Sequence, residues 1–342
     1  MRHRTAGRRQ IRNTAVELTG LGFGASVLGN LYRVTPAEDA SAAVEAAWEA
    51  GIRYFDTAPH YGLGLSELRL GTALRQRPRT EYVVSSKVGR LLVPNEHPRG
   101  VDSEGFVVRD DLRRQWDFSR EGVLRSIEAT LDRMGLDRLD VVYLHDPDDH
   151  WEQAADEAMP ALADLRDQGV IGAIGAGMNQ SSMLARFLRE TDADVVMLAG
   201  RYTLLDQSAL DDVLPAAEEL GKSVVAVGVF NSGLLSRDRP NEGMKYDYQD
   251  APPLLVARAR AIADVCAAHG TNLPRAAIAF PHTHPTIINV TLGMRTSEQV
   301  RQNVELHQQH IPDGLWDDLR TQGLIRPDVP GAGAGARSST CL

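Results

Sequence analysis

Short apolar segments alternate with longer amphipathic ones along most of this chain, and this alternation strongly limits the folds open to it. Eight segments are nearly continuously apolar, as expected of parallel strands that are buried on both faces. They cover residues 18–24, 52–55, 82–86, 139–144, 171–175, 194–198, 223–227 and 287–292. Each is followed by a segment with apolar residues at helical spacing. After the first strand these are Ala43, Ala46, Ala47 and Ala50.

An unbroken series of eight strand–helix units is typical of a closed (β/α)8 barrel, which needs about 250 residues. The chain has 342 residues, which leaves about 90 for insertions and tails. A doubly wound open sheet is the alternative, and it usually carries Gly-x-Gly-x-x-Gly after its first strand. Gly20, Gly22 and Gly24 do not have that spacing, and no acid follows them in register. We therefore predict an α/β protein, with one (β/α)8 TIM barrel over residues 1–326.

Three segments lie outside the strand–helix repeat. The basic residues before the first strand are predicted to form a short capping hairpin. Residues 90–118 are long, charged and aromatic, and they fall between the third strand and its helix. Loops that follow strands lie over the active site of a barrel, so this insertion is expected there. Residues 327–342 are rich in Gly and Ala and are predicted to be a disordered tail.

Charge and cysteine usage exclude several classes of function. The 37 Lys and Arg against 46 Asp and Glu give a net charge of −9, so no nucleic-acid partner is expected. No run of apolar residues is long enough to cross a membrane. Cys266 and Cys341 match neither a metal-ligand spacing nor a disulfide framework. These features favour a cytoplasmic protein with a small-molecule substrate and no metal, and they leave its oligomeric state open.

Four ionisable residues of different kinds stand at or just after three consecutive strand ends: Asp56, Tyr61, Lys87 and His145. Each alone has an ordinary explanation, such as a helix cap for Asp56 or packing for Tyr61. Catalytic groups of a barrel, however, come from the C-terminal ends of several strands. We therefore expect the four side chains, called the tetrad below, to meet and to act together.

The chemistry of the tetrad is coherent. A phenol has a pKa of about 10 and is a poor acid or base near neutral pH, but a nearby ammonium lowers that pKa. A carboxylate beside Lys87 would hold the ammonium in place, and His145 could orient a substrate oxygen. The set suits proton transfer at a carbonyl or hydroxyl oxygen. The other half of such a reaction is a bound hydride carrier.

The run over residues 51–62, Gly-Ile-Arg-Tyr-Phe-Asp-Thr-Ala-Pro-His-Tyr-Gly, resembles the signature of the aldo-keto reductase family. Other motifs of that family are matched in order by Ser66-Glu67, Gly71, Ser86-Lys87, Leu144-His145 and Gly177-Met178-Asn179. The resemblance implies a (β/α)8 barrel, a nicotinamide cofactor and the tetrad as catalytic residues. Tyr61 would be the general acid in reduction and the general base in oxidation.

The resemblance also implies a set of cofactor contacts, with Asn179 on the nicotinamide carboxamide, a pyrophosphate loop after the seventh strand, and an adenosine site at the start of the last barrel helix. The family often has Gln at the position of Ala199 and Tyr at that of Val227. Its usual Lys and Arg clamp for a 2′-phosphate appears as Gly293 and Gln299, so NAD and NADP both stay open as the cofactor. The predicted cofactor-binding residues are Gly24, Asn179, Phe230, Asn231, Ser232, Gly233, Leu234, Gly293, Met294, Arg295, Gln299 and Asn303.

Softer cues, among them residues 29–32, 198–202 and 229–235, resemble the sugar-oxidising branch of the family. They imply oxidation of the C1 hydroxyl of an aldose, of the L-fucose or D-threo-aldose type, to a lactone. Two alternatives remain: an aldehyde or ketone reductase, pyridoxal-type substrates included, and a subunit that binds nicotinamide but turns over little. The predicted substrate-binding residues are Tyr32, His60, Trp116 and Asp146.

Overall fold

Eight parallel strands close into a barrel in the computed structural model, which describes residues 7–247 and 249–331. In chain order the strands are β1 (Arg8–Gln10), β2 (Glu17–Thr19), β3 (Leu21–Gly24), β4 (Tyr54–Asp56), β5 (Val83–Val88), β6 (Arg90–Pro94), β7 (Leu112–Trp116), β8 (Val141–His145), β9 (Ala173–Met178), β10 (Val195–Ala199), β11 (Ser223–Val227), β12 (Lys245–Tyr246), β13 (Gln249–Asp250) and β14 (Ile287–Gly293). The barrel contains β3, β4, β5, β8, β9, β10, β11 and β14, each paired with the next, and β14 pairs with β3. The predicted (β/α)8 fold is confirmed.

Helices connect the successive barrel strands. They are α1 (Ala37–Glu49), α2 (Leu65–Leu74), α3 (Arg120–Met134), α4 (Trp151–Gln153), α5 (Met159–Asp167), α6 (Ser181–Glu190), α7 (Val213–Glu219), α8 (Pro253–Ala268), α9 (Leu273–Ala279), α10 (Ser297–Gln308) and α11 (Leu315–Thr321). The termini of α3 show how the sequence sets a helix. The hydroxyl of Ser119 accepts a hydrogen bond from the amide of Gly122, and Gly135 ends the helix with a φ of +63°. None of the helices in the described part of the chain is long and apolar enough to span a membrane.

The first predicted strand, residues 18–24, is two strands in the structure. β2 pairs antiparallel with β1 and forms the expected capping hairpin, whereas β3 belongs to the barrel. The hairpin residues Ile11, Val16 and Leu18 pack with the inward-facing barrel residues Tyr54 and Tyr143. They form a core of their own at the N-terminal end of the barrel, opposite to the strand ends that carry the tetrad. The hairpin therefore closes the bottom of the barrel.

Replacing Leu18 by Ala is expected to lower the free energy of unfolding by about 2–5 kcal/mol, because Leu18 is fully buried in this core. Denaturant titration measures the loss. The arrangement of the tetrad is expected to stay unchanged, since the hairpin lies at the far end of the barrel. The matched control is Leu68→Ala, at a half-exposed position. Equal losses in the two variants would contradict the role of the hairpin.

The insertion predicted as a loop, residues 90–118, contains a pair of strands. β6 and β7 pair antiparallel, with Arg90 opposite Trp116 and Pro94 opposite Leu112. We call residues 90–116 the lid. Its base is closed by the amide of Asp117, which donates to the carbonyl of Gly89 at 3.0 Å.

The tip of the lid is fastened to the loop that follows the first barrel strand. Leu31 and Phe106 form an antiparallel bridge. The amide of Val107 donates to the carbonyl of Asn30 at 3.0 Å, and the amide of Tyr32 donates to that of Gly105 at 2.7 Å. The lid therefore lies across the C-terminal end of the barrel, where the sequence placed it.

The packed domain extends beyond the predicted boundary at residue 326. Val329 is buried against the core, and its carbonyl accepts a hydrogen bond from Arg320 at 2.9 Å. Residues 327–329 therefore belong to the fold rather than to the predicted tail. Residues 332–342 of that tail lie outside the described residues.

Candidate active site

The structure brings the four side chains of the tetrad together at the C-terminal end of the barrel. Asp56 ends β4, Lys87 lies near the end of β5, and His145 ends β8. The ammonium of Lys87 donates to the Asp56 carboxylate at 2.7 Å and to the carbonyl of Thr57 at 3.0 Å. It also lies 4.8 Å from the centre of the Tyr61 ring. The phenol and the buried ion pair thus form one unit.

A chain of hydroxyl groups supports the carboxylate of Asp56 from inside the barrel. The Ser85 hydroxyl donates to Asp56 Oδ1 at 2.7 Å. The Ser85 hydroxyl also lies 2.9 Å from the hydroxyl of Tyr54, which lies 3.3 Å from that of Tyr143. Both oxygens of Asp56 therefore have a donor, so the carboxylate is fixed and in turn fixes Lys87.

Burial and the ion pair act in opposite directions on the proton of Tyr61. Burial raises the pKa of Tyr61 to about 12, although Lys87 opposes the rise. Burial by itself would lower the pKa of Lys87, but the neighbouring Asp56 and Tyr61 raise it above its usual value. Lys87 is therefore a permanent ammonium, and its charge favours the phenolate form of Tyr61.

The two histidines beside Tyr61 are neutral. Burial, together with the positive charges of Arg90 and Lys87, holds the pKa of His145 well below its usual value. Burial and the same two cations, with Arg114, lower the pKa of His60 to about 2. The His145 ring lies 5.7 Å from the Tyr61 ring and 5.3 Å from the His60 ring, centre to centre. Both imidazoles can therefore donate or accept a hydrogen bond but carry no charge near neutral pH.

Two glycines allow the turn that carries Tyr61 to approach the loop after β3. A Cβ atom on Gly62, which has a φ of +65°, would lie 2.3 Å from the carbonyl oxygen of Gly29. A Cβ on Gly29 would lie 2.6 Å from the carbonyl group of Tyr61. Only a pair of glycines fits this contact between backbones, and it places Tyr61 over the barrel.

Glu67, another residue of the signature, has a structural role behind the tetrad. Its carboxylate is fully buried and accepts hydrogen bonds from Ser86 at 3.0 Å, Thr130 at 2.8 Å and the Arg133 guanidinium at 2.5 Å. It thereby joins α2, β5 and α3. The serine next to Lys87 is one of the groups it holds.

The tetrad lines a cavity of about 940 Å³ at the mouth of the barrel, a size suited to a small-molecule site. Ala199 and Val227 also line this cavity. Other predicted site residues that line it are Gly24, Tyr32, His60, Asp146, Asn179, Phe230, Asn231, Ser232, Gly233 and Gly293.

The predicted residues outside the cavity wall are Leu234, Met294, Arg295, Gln299, Asn303 and Trp116. Leu234 and Met294 are fully buried in the core. Trp116 lies on the lid, where its ring stacks on Phe118 with 5.9 Å between ring centres. Because Trp116 is nearly half exposed and outside the wall, the structure does not place it as a direct substrate contact.

The side chain of Arg295 is engaged within the protein. Its guanidinium donates to the carbonyls of Leu31 at 2.7 Å and Arg33 at 3.0 Å, and to the hydroxyl of Thr35. Its own amide donates to the side-chain carbonyl of Gln299 at 2.8 Å. Arg295 thereby holds the loop after β3, the same loop that contacts the lid.

Replacing Arg295 by Met is expected to weaken NADH and NADPH binding by the same factor, because the guanidinium holds a loop rather than a 2′-phosphate. Fluorescence titration of the two reduced cofactors measures both dissociation constants. Arg186→Met on α6, at an exposed position, is the control and should change neither constant. A selective loss of NADPH binding in Arg295→Met would instead show that Arg295 clamps the phosphate.

The loop after β11, which lines the cavity, has an unusual backbone conformation. Asn231, Ser232 and Gly233 have φ values of +46°, +56° and +96°, so three consecutive residues are left-handed. The amide of Asn231 donates to the carbonyl of Gly228 at 2.9 Å, and that of Gly233 to Phe230 at 3.0 Å. Asn231 Oδ1 is buried and has no hydrogen-bond partner among the described residues. A buried acceptor without a partner fits a ligand that brings a hydrogen-bond donor.

Sequence reasoning missed three lid residues that line the cavity. Arg90, Glu104 and Phe106 all reach the wall near His60 and Asp146. The signal available was the position of the insertion on the active-site face. That signal could not say which of its many charged residues point inward.

A scan against protein-family models matches residues 20–320 to the aldo/keto reductase family. The chain therefore belongs to the aldo/keto reductase family, and it is an NAD(P)-dependent oxidoreductase, as the sequence motifs indicated.

Two curated relatives are similar over almost their whole length. A D-threo-aldose 1-dehydrogenase from Pseudomonas sp is 48% identical over 312 residues, which cover 90% of this chain and 95% of the relative. A pyridoxal 4-dehydrogenase from Microbacterium luteolum is 38% identical over 343 residues, which cover 95% of this chain and 100% of the relative.

Among solved structures, the holo form of an aldo-keto reductase from Bacillus halodurans matches with a TM-score of 0.72 and 25% identity, over 94% of this chain and 97% of that one. A glycerol dehydrogenase from Gluconobacter oxydans matches with a TM-score of 0.74 at 21% identity, over 98% of each chain, and this likeness concerns the fold alone.

Proposed function

We propose that this enzyme is an aldose 1-dehydrogenase, which oxidises the C1 hydroxyl of a sugar to a lactone. The observation that carries the proposal is the Asp56–Lys87 ion pair beside the Tyr61 ring, in the wall of a cavity that also carries His60, His145 and Asp146. The similarity to a D-threo-aldose 1-dehydrogenase at 48% identity supports the substrate class.

Tyr61 acts as the general base in this proposal. Its phenolate, stabilised by the ammonium of Lys87, takes the proton of the C1 hydroxyl as the C1–H bond gives up its hydride. The remaining electron pair forms the C1 carbonyl of the lactone, and the phenol later returns its proton to solvent. His145 is neutral and donates a hydrogen bond to the substrate oxygen, which keeps that oxygen beside Tyr61.

Asp56 is a positioning residue. Its two oxygens are used by Lys87 and Ser85, so none is directed to the substrate. Its charge keeps the ammonium in place and protonated. The reacting groups are therefore Tyr61 and His145, and the ion pair sets the acidity of the phenol.

The cavity can hold a nicotinamide dinucleotide, which supplies the hydride-accepting ring when bound. Asn179 would hold the carboxamide, and the loop of residues 230–233, which is left-handed at Asn231, Ser232 and Gly233, would contact the pyrophosphate. The unpartnered Oδ1 of Asn231 is an acceptor and would take a hydrogen bond from a donor of the dinucleotide, such as a ribose hydroxyl.

The value of kcat/KM for sugar oxidation is expected to rise with pH from 7 to 10. The base must be deprotonated, and burial holds the pKa of Tyr61 in the resting enzyme at about 12. His145 is already neutral in this range because its pKa is lowered, so it should add no rise between pH 6 and 7. Initial rates in buffers of constant ionic strength measure the profile. A plateau above pH 7 would contradict Tyr61 as the titrating base.

The function is tested by initial rates of NADH and NADPH formation with L-fucose, D-arabinose and L-galactose. A 1,5-anhydro sugar is the control, because it lacks the C1 hydroxyl and should give no rate. Reduction of aromatic or pyridoxal-type aldehydes without oxidation of any aldose would establish the reductase alternative. Copurified cofactor with negligible turnover would establish the binding subunit.

A further inference from the structure

Arg90 is the first residue of the lid, and it enters the cavity beside the tetrad. Its guanidinium donates to Asp146 Oδ2 at 2.5 Å and lies 3.3 Å from His60 Nδ1. Glu104 Oε2 is 3.7 Å from the same guanidinium. The side chain is only 12% exposed, so these contacts are made largely out of water.

The position of Arg90 is fixed from several sides. Its backbone pairs with Trp116 in the lid, and its guanidinium lies 4.4 Å from the centre of the Trp116 ring. Arg114 supports the neighbouring His60, since it donates to the carbonyl of His60 at 2.9 Å and to Asp102 at 2.5 Å. The planar guanidinium of Arg90 is therefore held in one orientation before a ligand binds.

Arg90 and Asp146 lie next to Tyr61 and His145, the groups that would react with the substrate. Asp146 Oδ2 is 3.7 Å from His145 Nε2, and the His60 ring is 5.3 Å from that of His145. A substrate that places its C1 oxygen between Tyr61 and His145 therefore presents its next carbon to this ion pair. A sugar hydroxyl both donates and accepts hydrogen bonds, and a guanidinium beside a carboxylate offers both.

The charges of the wall favour a neutral substrate. Among the described residues that line the cavity, Lys87 is paired with Asp56, and Arg90 with Asp146. Arg201 lies 2.9 Å from Asp247. Each of these cations already has a carboxylate, so a phosphate or carboxylate on the substrate would meet a wall whose positive charges are balanced.

We propose that Arg90, oriented by Asp146, is a specificity-determining residue that recognises the hydroxyl next to the reacting carbon of a neutral polyhydroxylated substrate. That the substrate is a sugar rests on the proposed function. The role of Arg90 does not rest on it, because the same contact would select hydroxylated aldehydes in the direction of reduction.

The contact between Arg90 and the substrate hydroxyl is tested by changing the substrate, the enzyme, or both. D-Arabinose and 2-deoxy-D-ribose differ only by the hydroxyl at C2, and glyceraldehyde and 3-hydroxypropanal give a second pair with the same difference for reduction. A hydrogen bond to a charged group predicts that the wild type prefers the hydroxylated member by about 10- to 100-fold in kcat/KM. In Arg90→Met the preference for the hydroxylated member is expected to vanish in both pairs. A role in folding alone would lower the rates of both members equally.

Three controls keep the result interpretable. Arg109→Met changes an exposed lid arginine and should leave both ratios unchanged. NADH titration checks that the Arg90→Met barrel is intact. Arg90→Lys keeps the charge but loses the planar fork, so it should lose part of the preference even if the Met variant does not fold.

The outcomes separate this inference from the proposed function. A wild type that oxidises no aldose, but prefers glyceraldehyde in a way that depends on Arg90, would overturn the proposed function and support the inference. The second outcome is that the wild type oxidises D-arabinose and that its preference over 2-deoxy-D-ribose survives in Arg90→Met. This result would support the proposed function and overturn the inference. Faster reduction of glyceraldehyde 3-phosphate than of glyceraldehyde would overturn the assignment of a neutral substrate.

Discussion

Replacement of Tyr61 by Phe is expected to lower kcat for sugar oxidation by about a thousandfold, within the range that general acid–base groups contribute. Phe keeps the ring that lies 6.1 Å from Phe106 and 5.7 Å from His145, centre to centre. It removes only the oxygen that takes the proton. KM and the dissociation constant for NADH are therefore expected to stay close to the wild-type values. Steady-state rates and a fluorescence titration measure the two effects separately.

Tyr82→Phe is the matched control for this prediction. The hydroxyl of Tyr82 is buried and has no hydrogen-bond partner in the described part of the chain, and it lies away from the cavity wall. Its loss should leave kcat unchanged. If Tyr61→Phe kept more than about a tenth of the wild-type kcat, far above the loss expected for a general base, another group would have to take the proton.

Replacement of Lys87 by Met is expected to damage both stability and catalysis. Removing one member of a buried ion pair costs about 3–5 kcal/mol, because the other charge is left uncompensated. Here the remaining charge is Asp56, which is 4% exposed and would keep only the Ser85 hydroxyl as a donor. The loss of the ammonium also removes the interaction that favours the phenolate of Tyr61, so kcat should fall by about a hundredfold or more. Denaturant titration and kcat at several pH values measure the two losses.

A second substitution separates these two losses. In Asp56→Asn/Lys87→Met both charges are gone, so much of the stability is expected to return while activity stays low. Lys245→Met, at an exposed site on β12, is the control for stability. Restored activity in the double variant would show that Lys87 serves only to neutralise Asp56.

The barrel and the meeting of the tetrad were predictable because both depend on periodic features. Buried parallel strands have continuously apolar sequences, and the ends of neighbouring strands must meet at one end of a barrel. Asp56, Lys87 and His145 therefore converge whatever the details of the loops. Their catalytic roles stay predictions until the variants above are measured.

The lid and the role of Arg295 could not be predicted, because they depend on contacts between distant segments. The strands of the lid pair with each other rather than with the barrel, and β7 (Leu-Arg-Arg-Gln-Trp) is too polar for its sequence to mark it as a strand. Arg295 is 260 residues away from the hydroxyl of Thr35 that it contacts. Its guanidinium donates to the carbonyls of Leu31 and Arg33, which no local pattern of the sequence indicates.

The split of residues 18–24 into two strands has a similar cause. Gly20 interrupts an apolar run that reads as one strand, and the change of pairing partner at that point is set by the whole barrel. At the other end of the chain, Val329 is a single apolar residue close to a run of small residues. Its carbonyl is held by a hydrogen bond from Arg320, and no local periodicity of the sequence indicates this contact.

The narrow base of the lid has a consequence for how enzymes of this kind can diversify. The chain leaves the barrel after Gly89 and returns at Asp117, and one hydrogen bond of 3.0 Å joins these two points. An insertion with adjacent ends can be exchanged for one of another length or composition without displacing the strands that flank it. Substrate preference can then change by replacement of the lid alone, while the tetrad beneath it is inherited unchanged.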